Sequence, residues 1–328
     1  ACGADPSFAI GGTITASGSN AHRGTGEIFV AEADESDGSF IEYHPYAAIV
    51  TNVEHDHVDF FATPEDVAQA FKDFAATINK DGFLTYCADD QGAKALASSV
   101  KTCALISYGI DESCDLRLDS IELEAMGSRA RAIWRGKVVG FIELQVPGHH
   151  NLLNAAAVLA TGLNLGFPAP ELLTGLSVFR GTGRRFELKG TVHGVRVIDD
   201  YGHHPTEIDV TLKAARRFAG DGRLIVIFQP HRYSRTKAFS AQFAKALDMA
   251  DRAIVLEVYA ASEKPIAGVT SRLITDAMSH GEYIPNFIEV TDSVIDSAQP
   301  QDVIITLGAG DVSSLAPIIV DGLSRRFG

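Results

Sequence analysis

Short apolar runs alternate with amphipathic segments along most of the chain. Two runs near the start, 27–31 and 47–51, are rich in β-branched or aromatic residues, and each is followed by a polar cluster. Such runs are typical of strands buried in a parallel sheet, with functional loops at their carboxyl ends. In segment 64–79 the apolar residues recur at steps of three and four, which predicts a helix. Thr63, with Asp66 three positions later, is expected to cap this helix.

The middle of the chain is rich in predicted strands. They lie at 83–86, 104–108, 116–123, 129–135 and 138–144. Gly136 and Lys137 separate the last two strands and predict a hairpin turn. Pro147 and Gly148 then break the chain, and a long helix is predicted from 151 to 165.

The alternation of strands and helices restarts after a Gly- and Arg-rich joint at 177–186. The predicted strands are 195–198, 224–228, 253–256 and 303–306, and the predicted helices are 207–218, 237–249 and 271–279. This order implies a largely parallel sheet with right-handed crossovers. A chain of 328 residues has room for about two domains, and we place them at 1–178 and 179–328.

Composition and charge exclude several classes of protein. Hydrophobic residues make up 46% and charged residues 21%, which is typical of globular proteins rather than disordered or membrane proteins. The net charge of −14 disfavours nucleic acid as a partner, and no apolar stretch predicts a membrane partner. The first residues lack the basic start and apolar core of a signal peptide. Four cysteines without a C-x-x-C pair suggest reduced thiols, so we expect a cytoplasmic protein.

The polar clusters after the first two predicted strands contain candidate metal ligands. Segment 31–37, AEADESD, packs four carboxylates together, and their repulsion requires water or a cation to offset it. Oxygen ligands of this kind suit Mg²⁺, although a solvated acidic loop is an equal alternative. Segment 51–57, TNVEHDH, follows what is expected to be a neighbouring strand. Two such loops at one sheet edge form an open α/β site, whereas structural or surface histidines are the alternative.

Two further clusters carry amide and guanidinium groups. Segment 148–154, GHHNLLN, places Asn151 and Asn154 on one helix face. Helix capping is an alternative for Asn151, but it does not account for Asn154, which could give a ligand paired amide bonds. The adjacent arginines of 181–186, GTGRRF, could approach a phosphate, or they could be solvated charges on a linker.

Two more clusters follow strands in the second half of the chain. In 199–205, DDYGHHP, an acidic residue that ends a strand could accept hydrogen bonds from ribose hydroxyls. In 229–236, QPHRYSRT, Arg232 and Arg235 could clamp a carboxylate. Each cluster alone is ambiguous, but nearly all of them follow a predicted strand. A protein with a purely structural role does not require polar clusters at the ends of its strands, so this placement favours a functional site.

Six of these segments resemble the Mur ligase family. In chain order they are EADESDGSF, IVTNVEHDH, GHHNLLNAAA, GTGRRFE, DDYGHHPTE and QPHRYSRT. They match in order and approximate spacing and span essentially the whole chain. The resemblance implies an α/β fold: a central ATP-binding domain, with a mostly parallel sheet plus a smaller antiparallel sheet, followed by a Rossmann-like α/β carboxy-terminal domain.

The resemblance also implies a reaction. EADESD and DDYGHHPTE are most similar to the members that join L-alanine to UDP-N-acetylmuramate in peptidoglycan precursor synthesis, and the murein-tripeptide recycling ligase is the alternative. In such a reaction ATP phosphorylates the lactyl carboxylate of the sugar nucleotide, and the amine of L-alanine attacks the acyl phosphate. The implied cofactors are ATP and Mg²⁺ or Mn²⁺, and the metal ions neutralise charge during phosphoryl transfer.

Carried over by motif, the resemblance assigns residues to three roles. The catalytic residues beside the γ-phosphate are Glu32, His57 and Arg185, with Glu32 and His57 as the metal ligands. The residues that hold the nucleotide are His150, Asn151, Asn154, Arg185 and, at the ribose, Asp200. The residues that receive the incoming amino acid are His231, Arg232 and Arg235, with Tyr201 and His203 as weaker candidates.

The chain departs from the family pattern at its start. Family members have three domains, and this sequence resembles only the central and carboxy-terminal ones. It contains no G-x-x-G-K-[ST] phosphate loop, which supplies a lysine to the phosphates and a hydroxyl to Mg²⁺. We therefore expect a truncated ligase whose parent is an enzyme, with the chain itself inactive. A shortened paralogue that binds nucleotide without catalysis is the alternative.

Overall fold

The computed structural model describes residues 1–328 and separates them into two units, Ala1–Gly181 and Thr182–Gly328. Each unit combines helices with β-sheet around its own buried clusters. The division falls a few residues beyond the boundary that we placed after residue 178. The assignment of the two units to functional domains stays a prediction.

The first unit contains two sheets. In chain order its elements are β1 (Ser7–Ile14), β2 (Ser19–His22), β3 (Phe29–Ala31), β4 (Ala47–Val50), α1 (Pro64–Thr77), β5 (Phe83–Cys87), α2 (Gln91–Ser99), β6 (Ala104–Gly109), β7 (Leu116–Glu124), β8 (Gly127–Trp134), β9 (Lys137–Leu144), α3 (His149–Asn164) and α4 (Ala169–Ser177). The larger sheet runs β4-β5-β6-β7-β8-β9, parallel as far as β7 and antiparallel from there. The smaller sheet runs β2-β1-β3.

Alternating side chains of β5 pack on opposite faces of the larger sheet, as strand geometry requires. Phe83 lies in the cluster that contains the buried face of α3, including Leu152 and Leu159. Leu84 lies in the cluster that also contains residues of α1 and α2, including Phe74. Helices therefore cover both faces of the larger sheet at β5, and nearly all residues of this strand are buried.

Several local predictions for the first unit are confirmed, and others are wrong. The capping box of α1 is present: the Asp66 N–H donates to Thr63 Oγ1 at 3.2 Å, and the Thr63 N–H donates to the Asp66 carboxylate at 2.9 Å. The helix predicted from 151 starts earlier, because Gly148 is its N-cap. Elements β1, β2, α2 and α4 were not predicted. They are short or interrupted by small residues, so they lack a clear apolar period.

The second unit is built on one six-stranded sheet. In chain order its elements are β10 (Glu187–Val192), β11 (Val195–Asp200), α5 (Pro205–Ala219), β12 (Leu224–Phe228), α6 (Tyr233–Leu247), β13 (Arg252–Val255), α7 (Arg272–Thr275), β14 (Gly281–Tyr283), α8 (Phe287–Ser297), β15 (Val303–Leu307) and α9 (Leu315–Phe327). The strand order is β10-β11-β15-β12-β13-β14, and only β10 is antiparallel. Helices α5 and α6 cover one face, and α8 and α9 cover the other. The predicted Rossmann-like α/β fold is confirmed.

The register of this sheet brings three loops to one edge. Asp200, at the end of β11, pairs with Leu307 at the end of β15, and Leu307 pairs with Phe228 at the end of β12. The segments that follow these strands therefore start level with one another.

No helix in the structure combines the length and apolar character that a membrane crossing demands.

Candidate active site

In the first unit, Glu32 directly follows β3 and is exposed. The Gly11 N–H of β1 donates to its carboxylate at 2.8 Å. A Cβ atom at Gly11 would come within ordinary contact distance of the same carboxylate. The small sheet therefore fixes the position of Glu32 through a main-chain hydrogen bond.

His57 belongs to the loop after β4 and contacts the acidic cluster through Glu35, to which the family resemblance assigned no role. Its Nε2 atom lies 3.0 Å from Glu35 Oε1 and 3.8 Å from Asp56 Oδ2. The structure thus brings the two predicted metal-binding loops together, although β3 and β4 belong to different sheets. No group of three His, Cys, Asp or Glu side chains in the structure is arranged to hold a metal ion. The role of Glu32 and His57 as metal ligands stays a prediction.

The start of α2 supports the loop that carries His57. Asp90, the N-cap, accepts hydrogen bonds from the Ala93 N–H at 2.7 Å and from the Val53 N–H at 3.1 Å. Gly92 permits this contact, because a Cβ atom there would lie 2.1 Å from the Val53 carbonyl oxygen. Sequence reasoning missed both residues, since the contact joins segments that are far apart in the chain.

The predicted nucleotide-side residues lie in the first turns of α3. Gly148 has a φ of +106°, and a Cβ atom there would lie 2.6 Å from the ring of His150. Asn151 does not cap the helix, because its side-chain amide donates to the Pro147 carbonyl at 2.7 Å. Asn154 follows almost one turn later and is exposed. Both asparagines and His150 are therefore grouped at one helix end, as the spacing predicted.

In the second unit, the adjacent arginines of the joint have different surroundings. The Arg184 guanidinium donates to Asp199 Oδ2 at 3.1 Å and to the Gly308 carbonyl at 2.6 Å. Arg185 has a side chain 51% exposed and pairs with Glu207 at 3.2 Å. Arg184 is thus built into the fold, and Arg185 is the arginine that a ligand can reach.

Asp200 is buried, with 3% of its surface exposed. Its carboxylate accepts hydrogen bonds from the N–H groups of Gly202 and Phe186, each at 2.8 Å, and from Thr211 Oγ1 at 3.3 Å. Burial raises the pKa of Asp200 to about 6, although the backbone N–H groups of Gly202 and Phe186 oppose that rise. Contact with a ribose hydroxyl stays a prediction.

The loop after β11 places His203 beside Tyr201 and Glu207. The Nδ1 atom of His203 lies 3.1 Å from the Tyr201 carbonyl oxygen and 3.4 Å from Glu207 Oε2. The same carboxylate oxygen accepts the backbone N–H groups of His203 and His204, at 3.0 and 3.2 Å. Glu207 thereby completes a capping box at the start of α5. The His203 ring also packs edge-on against Tyr201, with the ring centroids 5.1 Å apart.

The loop after β12 lies beside this histidine. The rings of His203 and His231 have centroids 5.7 Å apart, and His231 stacks on Tyr259 at 5.6 Å. Arg235, which is buried, places Nη1 3.3 Å from His231 Nδ1. The backbone of Arg232 has a φ of +71°, and its N–H donates to the Tyr259 carbonyl at 2.8 Å. The structure therefore gathers the predicted amino-acid-binding residues of both loops.

Sequence reasoning missed two residues of this cluster. Glu207 had a detectable signal in the sequence, because a Glu at the third position of a helix that begins with Pro is typical of a capping box. Tyr259 had none, because it follows β13 by a few residues and its contacts are all long-range. Gly310 packs against the Tyr259 ring, where a Cβ atom would lie 2.8 Å from Cγ.

Comparison with known proteins is consistent with this arrangement. The model of the Mur ligase middle domain matches residues 13–162, and that of the Mur ligase, glutamate ligase domain matches residues 184–310. A UDP-N-acetylmuramate–L-alanine ligase from Paenarthrobacter aurescens is 50% identical over 324 residues, covering 98% of this chain and 70% of that protein. A ligase of the same name from Acidothermus cellulolyticus is 47% identical over 333 residues, covering 99% and 70%.

A solved structure extends the similarity to the fold. The UDP-N-acetylmuramate–alanine ligase MurC from Thermotoga maritima superimposes with a TM-score of 0.80 at 27% identity, covering 98% of this chain and 70% of that one. The two family models together span both units, and so does each of the two curated relatives. The chain belongs to the Mur ligase family.

Proposed function

We propose that this protein is an ATP-dependent amide ligase that joins L-alanine to UDP-N-acetylmuramate in peptidoglycan precursor synthesis. The observation that carries the proposal is 50% identity, over nearly the whole chain, to a ligase of that name. Phosphorylation of the lactyl carboxylate by ATP gives an acyl phosphate, and attack by the amine of L-alanine then releases phosphate. We assign ATP binding to residues 1–178 and amino-acid binding to residues 179–328. We also propose a cytoplasmic location, where ATP and nucleotide sugars are available.

We propose that the loops of the first unit bind a hard divalent cation through Glu32 and His57. The carboxylates of Glu32 and Glu35 offer the oxygen donors that suit Mg²⁺ or Mn²⁺, and His57, beside Glu35, would be the nitrogen ligand. A bound cation would neutralise negative charge on the phosphates. At the start of α3, we propose that His150, Asn151 and Asn154 hold the nucleotide.

The second unit offers positive charge and directed donors for anionic groups. We propose that Arg185 reaches the γ-phosphate, because it is the exposed member of the arginine pair. The carboxylate of L-alanine would lie against Arg235 and Arg232, since a guanidinium matches a carboxylate in both charge and geometry. His231 would add a donor, and Tyr201 and His203 would face the amine. Asp200 would act at the ribose of ATP.

An assay of amino-acid preference tests the proposal. The complete gene product would be supplied with ATP, Mg²⁺ and UDP-N-acetylmuramate, and ADP release would be measured with L-alanine and with the murein tripeptide. We expect ADP release that depends on L-alanine and is much slower with the tripeptide. Faster release with the tripeptide would favour the recycling ligase. Nucleotide binding without ADP release under any condition would favour a non-catalytic paralogue.

A further inference from the structure

Amide formation requires a base that takes a proton from L-alanine, and the roles proposed above assign this base to no residue. L-alanine is an ammonium ion near neutral pH, and an ammonium group has no lone pair with which to attack an acyl phosphate. A base must therefore remove one proton before the C–N bond forms. Two imidazoles, those of His203 and His231, lie next to each other in the cluster where the amino acid is expected.

His203 is held with its Nδ1 atom toward acceptors. The Tyr201 carbonyl, 3.1 Å from Nδ1, accepts a hydrogen and has none to give, so Nδ1 carries the ring proton in neutral His203. The lone pair then resides on Nε2, on the far side of the ring. Glu207, whose carboxylate lies 3.4 Å from Nδ1, stabilises the positive charge that appears when Nε2 takes up a proton.

His231 has the opposite surroundings. The Arg235 guanidinium, 3.3 Å from Nδ1 of His231, is a donor only, so Nδ1 accepts and the ring proton sits on Nε2. A second proton on this ring would remove that hydrogen bond and set two cations side by side. His231 is therefore suited to donate from Nε2, and His203 is the better proton acceptor of the pair.

Glu207 is fixed in place and ionised. Burial alone would raise the pKa of Glu207, but the positive charge of His203 when it is protonated, the charge of Arg185 and the backbone N–H groups of His203 and His204 together lower it. The third helical position in a capping box fixes the direction of the side chain. Around this pair, the Tyr201 ring faces His203 at 5.1 Å, with the Arg185 guanidinium 5.5 Å from that ring.

We propose that Nε2 of His203 is the general base that takes a proton from the ammonium group of L-alanine, with Glu207 as its positioning residue. The proposal rests on the proposed function. The freed amine forms the C–N bond at the acyl carbon, and the C–O bond to phosphate breaks. The second proton leaves nitrogen after that bond forms, and the departing phosphate accepts it. His203 then returns its proton to solvent.

A nucleophile that needs no base provides the sharpest test. Hydroxylamine is largely uncharged at neutral pH and converts an acyl phosphate to a hydroxamate. In the complete gene product, His203→Gln should lower turnover with L-alanine by about 100-fold or more, the scale of general base catalysis. Hydroxamate formation from ATP and UDP-N-acetylmuramate should change by only a few fold. An equal loss with both acceptors, or a loss with neither, would overturn the proposal.

Glu207→Gln tests the positioning role without removing the helix cap, because Gln also serves in a capping box. We expect a lower turnover number for L-alanine and an altered acid limb of its pH profile, with hydroxamate formation retained. Glu289→Gln, which also removes an acidic residue from the first turn of a helix in this unit, is the matched control and should leave both rates unchanged. Unchanged L-alanine kinetics in Glu207→Gln would contradict the positioning role.

The controls separate this proposal from the proposed function. If the unaltered gene product releases no ADP with L-alanine, the proposed function fails and the general base fails with it. If the unaltered protein is active and His203→Gln keeps its full rate with L-alanine, only the general base is refuted.

Discussion

Replacing the two adjacent arginines one at a time should give opposite phenotypes. The Arg184 guanidinium is bound to Asp199 and to the Gly308 carbonyl, so Arg184→Ala removes contacts that hold the fold. The Arg185 guanidinium is exposed and pairs with Glu207, so Arg185→Ala removes a group that is placed to meet a ligand. We expect the first variant to lose stability and the second to lose turnover.

The size of the stability loss follows from burial. The Asp199 side chain is only 3% exposed, and without Arg184 its charge would keep a hydrogen bond from Thr306 Oγ1 at 2.7 Å. Removing one partner of a buried ion pair costs about 3 kcal/mol, the lower end of the usual range, because Arg184 itself is 29% exposed. For a unit of this size that corresponds to about 10 °C in melting temperature. The surface pair of Arg185 and Glu207 contributes less than about 1 kcal/mol.

The chain offers an internal reference for this measurement. Trp134, the single tryptophan, lies in β8 of the first unit. Thermal unfolding of Arg184→Ala should therefore show an early transition by far-UV circular dichroism, while the tryptophan fluorescence transition stays in place. Arg185→Ala should unfold like the unaltered protein but lose about 100-fold or more in turnover of the complete gene product. Equal melting of both variants, or full activity of Arg185→Ala, would refute the assignment.

Three further substitutions test other parts of the structure. His57→Ala should cut ADP release by orders of magnitude and leave the fold intact. The control variant His44→Ala, in an exposed part of the same unit, should keep the rate of the unaltered protein. Equal rates of ADP release in the two variants would show that His57 is not part of the metal site. Because burial raises the pKa of Asp200 to about 6, its protonated form stabilises the second unit, and that stabilisation is lost as pH rises through 6. Relative to Asp200→Asn, the unaltered protein should gain about 1.4 kcal/mol in unfolding free energy between about pH 7 and pH 5, measured by urea titration. Gly92→Ala should displace Val53 and lower turnover by at least about tenfold, since a 1 Å misplacement near a site can cost more than that; a rate close to that of the unaltered protein would show that this contact does not position the loop.

The four central strands of the sheet in the second unit were the easiest part of the fold to predict, whereas its edge strands β10 and β14 were not predicted. β12 and β15 are buried on both faces, so their sequences are continuous apolar runs with clear ends. Helix α6 was predicted four residues late, from 237 instead of 233. The helix begins directly after Arg232, whose positive φ interrupts the regular backbone conformation. An arginine in the sequence does not indicate a positive φ, so the start of the helix could not be predicted. β1 was missed because two glycines interrupt its alternation.

For the candidate site, the motifs predicted which loops matter but not which neighbouring side chain acts. Arg184 and Arg185 are identical in type and adjacent, and only the backbone path decides which guanidinium is built into the fold. His57 pairs with Glu35, to which the motifs assigned no role, because the pairing depends on how two loops from different sheets approach each other. Such long-range contacts leave no trace in local spacing.

Transfer of an oxygen label tests the central claim most directly. The complete gene product would be given UDP-N-acetylmuramate with ¹⁸O in both oxygens of its lactyl carboxylate, together with ATP, Mg²⁺ and L-alanine. An acyl phosphate joins one carboxylate oxygen to phosphorus, so mass spectrometry should find one ¹⁸O in each phosphate released and one in the new amide. Phosphate without label, or no amide product, would contradict an ATP-dependent ligase that acts through an acyl phosphate.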